Sequence, residues 1–540
     1  MTFQPDVIVI GSGISGSAAA KTLVDLGVAT QLIDIGFDDP AFRCQIPDAP
    51  FSKLRESDPG QSLYFLGDKL QGIPRKGVRV GAQLTPPRQF ITRNVEQLLP
   101  TRSGEFSPLQ STSLGGLGAG WGAACFTFSA EELNRAGLPA AEFPELYARA
   151  ADLMGISGDP ESPVNQWLWL HAIPAQPPLP LDDNAQSIFA RMEKRRDKLS
   201  RIGVHAGRIP MAILTRDQPP RQANPYFDMD FYGDSRKSIF RPRYLVDAMR
   251  DSRNFLYTPH QAVVTLKTLP TGLVEAQAVD SESGAKTMYT AREVILCAGA
   301  INSARIALNS LRLVGQPTTL LCNPYTYFPC INLAMLGRDA GDRRHSMAQF
   351  GGVVLAKGDK AVEGAFQMYS YRSLLLFKLV KELPLPPKPG LLTARALVNS
   401  LAIFGIFFRD HLSRTKTLRL APGAGDELPV VEFAYALSKE EEERKAEAEH
   451  RFRRGLRQMG CLPMKRVDPG PAGSIHYAGT VPSTNPLFPA FHTKPDGTVE
   501  GLPRVYIGDS SSWDFLPAKG LSFTLAANAI RVARIAARSL

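Results

Sequence analysis

The sequence predicts an α/β protein: a Rossmann-like parallel sheet that the chain leaves and re-enters, and an α+β region carrying an antiparallel sheet. Three observations predict it. A strand, a glycine turn, a helix and a second strand ending in an acid occupy residues 3–36. Two later apolar strands, at 293–297 and 504–507, run into the turns Ala298-Gly299-Ala300 and Gly508-Asp509, and a helix-forming segment follows each. Between them, residues 313–464 are rich in aromatics and prolines, with strands such as 350–355 and 430–435 and apolar helical stretches.

The first stretch sets the frame. An apolar run covers Val7 to Ile10, and glycines follow at 11, 13 and 16. Ser17 to Leu26 is rich in Ala and Leu and reads as a helix closed by Gly27; a second apolar run, Ala29 to Ile33, ends on Asp34. Gly11 permits a tight turn, Gly13 lets backbone approach a pyrophosphate, and Gly16 lets the helix pack on the strand. The helix start around Ser15 offers free N–H groups and a positive dipole end to phosphates. Asp34 stands 34 − 16 = 18 residues past Gly16, close to where a carboxylate accepts from an adenosine ribose. An acid there disfavours a 2′-phosphate, so FAD or NAD fits better than NADP. The bland alternative is a glycine-rich turn that only packs.

The 540 residues are too many for one ordinary core, and two or three domains are expected. Composition is that of a globular chain, 44% hydrophobic and 21% charged. The net charge of +10 suits anionic substrates, a membrane surface, or simply a solvated basic exterior. No block of basic residues and no nucleic-acid motif appears, so nucleic acid is not expected as a partner. Six scattered cysteines without a CxxC read as reduced thiols of a cytoplasmic protein, and no signal peptide precedes the strand that starts by Asp6. The apolar window 391–408 carries Arg395 and Asn399, and its clean part, 401–408, is too short to cross a bilayer. Residues 371–383 read either as a helix packed on the substrate region or as an amphipathic surface helix in peripheral membrane contact.

Further along, residues 37–110 are irregular. Ser111 to Phe128 crowds glycines before an apolar run, which suggests backbone pressed against something flat or charged. Ser129 with Glu132 is a capping-box pattern, and 143–154 is helical up to Gly155. A charged helix is expected at 188–199, and a small antiparallel meander at 255–257, 262–266, 273–279 and 287–289. The segment 383–390, LPLPPKPG, reads as a stiff polyproline II connector. A charged surface helix at 440–459 and a closing helix at 521–540 complete the chain.

Four separated segments together resemble the glucose–methanol–choline (GMC) oxidoreductase family: GSGISG with Asp34; Gly115-Gly116-Leu117-Gly118-Ala119-Gly120-Trp121-Gly122; VILCAGAINSARIALNS (294–310); and SIHYAGT (474–480) with VYIGDSSSWDFLPAKGLSFTLAANA (505–529). The resemblance implies FAD and an FAD-binding domain assembled from 1–160, 236–312 and 465–540. A substrate domain from 161–235 and 313–464 would cover the flavin. It further implies cofactor contacts at Gly115, Gly116, Gly118, Trp121, Gly122, Ala298, Gly299, Asp509, Ser510 and Leu521. Val263 matches where the family holds adenine by backbone contacts. Where pyranose-oxidase-like members carry a covalent flavin on a histidine before the tryptophan, this chain has Gly120, which implies non-covalent FAD.

What the family does is oxidise an alcohol, its hydroxyl proton passing to a base and its hydride to flavin N5. The substrate here would be a small-molecule alcohol, sugar-like or lipidic, with oxygen or a redox partner as electron acceptor. His476 matches the family's active-site histidine in its H-x-x-G-T context, and an imidazole suits proton abstraction near neutrality. The bland alternative is a histidine that only hydrogen-bonds in a turn. The family's second His or Asn falls on Lys519 and Gly520 when Leu516-Pro517-Ala518 is aligned. Three readings stay open: His476 acts alone; Lys519 holds negative charge on substrate or reduced flavin; or the reaction is not alcohol oxidation. A flavin-containing lyase and a non-catalytic flavin-binding partner protein are the rivals. If the helix after Gly520 aims its start at the flavin, its dipole favours the anion formed on reduction. The other histidines (171, 205, 260, 345, 411, 450 and 492) show no metal-ligand spacing, and no metal is expected.

Overall fold

The computed structural model describes residues 3–39, 46–70, 84–102, 104–171, 173–358, 360–370, 384–421, 428–484 and 487–540. Strand β1 (Val7–Ile10) lies at the centre of a six-stranded sheet. Helix α1 (Ile14–Asp25) leads to β2 (Thr30–Ile33), its neighbour on one side, and Glu293–Leu296 pairs on the other. Leu502–Ile507 continues the sheet in parallel, and Thr498–Val499 closes that edge antiparallel. Every residue of β1, β2 and Glu293–Leu296 is buried, as expected when helices cover both faces of a parallel sheet. Val7 and Val9 face the core shared with α1 and the closing helix Ser522–Arg538; Ile8 and Ile10 face the core shared with the helix Ala300–Ser310. The two-residue period of the strand thus splits its side chains between two helical layers.

Phe255–Thr258 departs from expectation. It does not belong to the meander but is the outer parallel strand beside β2, with Thr30 opposite Phe255. The helix Arg243–Met249, packed on α1, leads into it and supplies the crossover that parallel pairing requires. The meander itself has three strands, Gln261–Thr268, Val274–Asp280 and Lys286–Ala291.

A second six-stranded sheet is antiparallel throughout, in the order Cys461–Pro463, Tyr325–Asn332, Leu401–Phe408, Val362–Ser370, Phe350–Leu355, Val204–Gly207. The apolar run 401–408 is a central strand of this sheet. Phe404, Ile406 and Phe408 pack under Phe452 and Leu456 of the charged helix Lys439–Gln458, so that helix is amphipathic and covers a core. The alternate residues Ile403 and Phe407 face a cavity on the other side.

Two local expectations change. The proline segment is not a polyproline connector beyond Pro386: a helix runs from Pro387 to Val398, because prolines in a first helical turn lose no hydrogen bond. The charged helix starts earlier, at Asp183, where the Asp182 side chain caps Ala185 N–H, and it breaks at Arg195 into Asp183–Lys194 and Arg196–Ser200. The capping box at Ser129 and Glu132 is present, with both reciprocal bonds made. Residues 371–383 lie outside the described residues. Among those described, no helix is long and apolar enough to cross a membrane, and the five cysteines are buried and unpaired.

Candidate functional site

One cavity of about 840 Å³ runs from the first glycine turn to the inner face of the antiparallel sheet. Its floor is the junction of two glycine segments. Gly11 has φ +96, and a Cβ there would fall 2.6 Å from Cys297 O. Gly16 does not line the cavity; a Cβ on it would collide with Gly11 O at 1.7 Å, so this glycine serves helix–strand packing. A Cβ on Gly13 would meet nothing within 4 Å, and the space it would enter belongs to the cavity. Helix α1 starts without a side-chain cap and without an acid in its first turn. Its free N–H groups open beside Gly13 and Ser15, the arrangement that holds a phosphate.

The second glycine segment lies on the first. Gly115 N–H donates to Ser12 Oγ at 2.8 Å, and a Cβ on Gly116 would sit 3.3 Å from Gly13 Cα. Gly115 is therefore a packing residue, whereas Gly116, Gly118, Gly120, Trp121 and Gly122 line the cavity. Trp121 is held by an Nε1–H bond to Phe240 O at 2.8 Å. Ser12 Oγ also donates to Asp34, whose carboxyl is pushed up to about 7 by burial. Val263, Ala298 and Gly299 complete this end.

Asp509 lines the cavity with its oxygens already engaged. Oδ2 accepts from Gly299 N–H at 2.9 Å and Ser303 Oγ at 2.6 Å, and Oδ1 accepts from Ser511 N–H and Oγ. It ties the start of the 300–310 helix to the end of the last parallel strand. Ser510, Gly520 and Leu521 also line the cavity. The closing helix starts there, uncapped by any side chain and free of acids in its first turn.

His476 stands at the far end. Its ring stacks on Phe407 at 4.7 Å and 21°, and Tyr325 packs against Phe407 with ring centroids 4.6 Å apart and tilted by 34°. Burial among these rings lowers the imidazole to about 4, so it is neutral at physiological pH. Nδ1 lies 3.0 Å from Asn323 Oδ1. Ile475, immediately before it, has φ 63, a left-handed backbone that a β-branched residue adopts only under constraint from its surroundings. Tyr325, Tyr327, Gln367, Tyr369 and Ile403 form the roof, flanking Gly405. A Cβ on Gly405 would fall 2.1 Å from Tyr325 Oη, so the glycine makes room for that ring.

Lys519 corrects the sequence reading. It is 1% exposed and lies off the cavity wall. Its Nζ is 2.6 Å from Glu132 Oε2 and donates to Thr127 O at 3.1 Å. A lysine held this way offers no charge to the cavity, and Gly520, which does line it, has no side chain. Asn323 is the residue that sequence reasoning missed. It has no motif and meets His476 only through the fold.

The donor set and shape fit FAD: two uncapped helix starts, a glycine cradle and a buried acid line one elongated cavity. No family model matches this chain, and no curated protein matches it in sequence. Solved structures do match in fold. A pyridoxine 4-oxidase from Mesorbium loti aligns at TM-score 0.55 and 14% identity, over 98% of this chain and 99% of that one. A formate oxidase from Aspergillus oryzae RIB40 aligns at 0.60 and 12%, over 99% and 98%. An FAD-dependent oxidoreductase from Chaetomium thermophilum aligns at 0.60 and 13%, over 99% of each chain. The chain shares the fold of these structures over nearly its whole length.

Proposed function

We propose that this protein is an FAD-dependent oxidoreductase that oxidises an alcohol, with His476 as general base. The observation that carries the reading is the single cavity joining the phosphate-binding glycine turn to the His476 imidazole. On this reading the division into an FAD-binding domain (1–160, 236–312, 465–540) and a substrate domain (161–235, 313–464) places the reacting centre between them. Gly11, Gly13 and Ser15 would hold the pyrophosphate at the start of α1, and Asp34 the ribose. Gly116, Gly118, Trp121 and Gly122 would lie against the flavin, with Val263, Ala298 and Gly299 around the adenosine. Gly120 offers no atom for covalent attachment, so FAD is held non-covalently. When bound, the flavin supplies the acceptor for the hydride that leaves the alcohol carbon.

The chain's own part is positional and protolytic. His476 is neutral and partly buried, stacked on Phe407, so its free ring nitrogen accepts the hydroxyl proton as the C–O bond becomes a carbonyl. The N-terminus of the closing helix favours negative charge developing at the cavity. Aromatic rings and a glutamine form the roof, which suits an uncharged alcohol with a flat or apolar body. The lyase alternative rested on the Lys519-Gly520 departure from the family pattern; Lys519 pairs with Glu132, and Gly520 lines the cavity without a side chain.

The test is an anaerobic titration of the purified flavoprotein with alcohols, followed in the visible spectrum. The expected result is bleaching by one alcohol class, abolished in His476→Ala. A wild-type protein that cannot be loaded with FAD sinks the reading.

A further inference from the structure

The fold family's second catalytic position carries no functional group here: Gly520 has no side chain and Lys519 is turned away. The structure supplies a different partner for His476. Asn323 is 1% exposed and uses its whole amide. Nδ2 lies 2.7 Å from Phe408 O and 2.9 Å from Pro517 O. Both are carbonyl oxygens, which only accept, so the NH2 group must face them and Oδ1 must face the imidazole. The amide orientation is thereby settled by its neighbours. Oδ1 in turn only accepts, so the ring nitrogen 3.0 Å away, Nδ1, must carry the hydrogen. In a neutral imidazole the lone pair then resides on Nε2.

Resting on the alcohol-oxidation reading above, we propose that Asn323 is the positioning residue of this site: it locks His476 in the Nδ1–H tautomer and keeps Nε2 as the base. A neutral amide does this without the charge that a carboxylate would bring, and so leaves the imidazole unprotonated until substrate arrives. Its amide NH2 also ties residues 321–323 to the end of the central strand Leu401–Phe408 and to the 515–518 stretch, just before the position where relatives of this fold carry the second residue.

Beneath Asn323 lies a buried charge cluster that the reaction does not otherwise use. Cys322 N–H donates to Asp410 Oδ2 at 2.8 Å, and Tyr435 Oη donates to Cys322 O at 2.6 Å. Lys416 pairs with both Asp410 and Glu441, and His411 Nε2 is 3.2 Å from Glu441. Lys416 and Asp410 are fully buried. Buried ion pairs add little net stability, and this one grips the backbone that presents Asn323.

The test is nitrogen NMR of the holoprotein with 15N-labelled histidine, His476 assigned by difference with His476→Ala. The wild type should show a single Nδ1–H tautomer at pH 7. In Asn323→Ala the two tautomers should mix, and flavin reduction by the bleaching alcohol should slow by about 10²-fold, with half-saturation changed less than about threefold. FAD content and melting temperature report folding. A wild-type Nε2–H tautomer overturns the proposal without any variant. So does an unchanged tautomer and rate in folded Asn323→Ala. If no alcohol bleaches the flavin yet the Nδ1–H tautomer is found, the positioning stands and the oxidation reading fails.

Discussion

Lys519 Nζ lies 2.6 Å from Glu132 Oε2, with both groups drawn into the wall behind the cavity. Glu132 is at the same time the reciprocal acid of the Ser129 capping box. One carboxylate therefore serves a helix start and a buried cation. Lys519→Met should cost about 3–5 kcal/mol, the usual penalty for leaving one member of a buried pair alone. It should leave flavin reduction per folded molecule within about threefold. Denaturant unfolding and stopped-flow reduction on the same samples check both statements. Adding Glu132→Gln should recover part of the stability, since the capping oxygen remains.

The pH profile follows from His476. Burial holds its imidazole near 4, against 6.5 for a free one. The base stays unprotonated through the neutral range, so flavin reduction should be flat from about pH 8 down to 5 and fall only towards 4. The stability sign is set by linkage. Below 6.5 the unfolded chain takes up a proton that the folded one refuses until about 4. This share of stability is present above 6.5 and is lost as pH falls through that window. His476→Gln should make melting less acid-sensitive than in the wild type.

Asp34 acts in the opposite sense in an overlapping window. Its carboxyl is raised from 3.8 to about 7. The folded protein binds a proton there that the unfolded chain has released, so this contribution is full below 3.8 and is lost as pH rises through 7. Holding a ribose hydroxyl favours the ionised acid. FAD affinity of the apoprotein should therefore rise from about pH 6 to 8, and Asp34→Asn should flatten the dependence. Fluorescence-quenching titrations at fixed ionic strength measure it.

Gly405 sets the shape of the roof. A methyl group at this position would lie 2.1 Å from Tyr325 Oη and 2.9 Å from its ring, and the strand is fixed by pairing on both sides. In Gly405→Ala the Tyr325 ring must move. Half-saturation by the bleaching alcohol should rise about tenfold, a loss of ~1.4 kcal/mol, while FAD content stays at the wild-type level. Unchanged substrate dependence would place the alcohol away from Tyr325.

Much of this molecule was legible locally. The strand–turn–helix unit at β1 and α1 carries its own instructions, because glycine conformations and strand periodicity act over a few residues. The same holds for the Ser129–Glu132 capping box and for the helix Phe143–Met154 ending at Gly155. His476 was visible through its short H-x-x-G-T context.

Other features depend on partners far away in the chain. Nothing in residues 255–258 says that they pair with β2 and not with the meander that follows, because both pairings accept the same alternation. The apolar run 401–408 is equally compatible with a helix or a strand until its neighbours on both sides are in place. Side-chain direction is less local still. Lys519 sits one residue from a cavity-lining glycine, and Thr127 O together with the Glu132 carboxylate, 387 positions earlier, turns it away. Asn323 meets His476 across 153 residues. The elements, the glycine cradle and the histidine are written into short stretches of chain, because backbone sterics and hydrophobic period are short-range. Which charges face the cavity, and which nitrogen of His476 is free, were settled only when the chain was folded, because hydrogen-bond partners are chosen by packing.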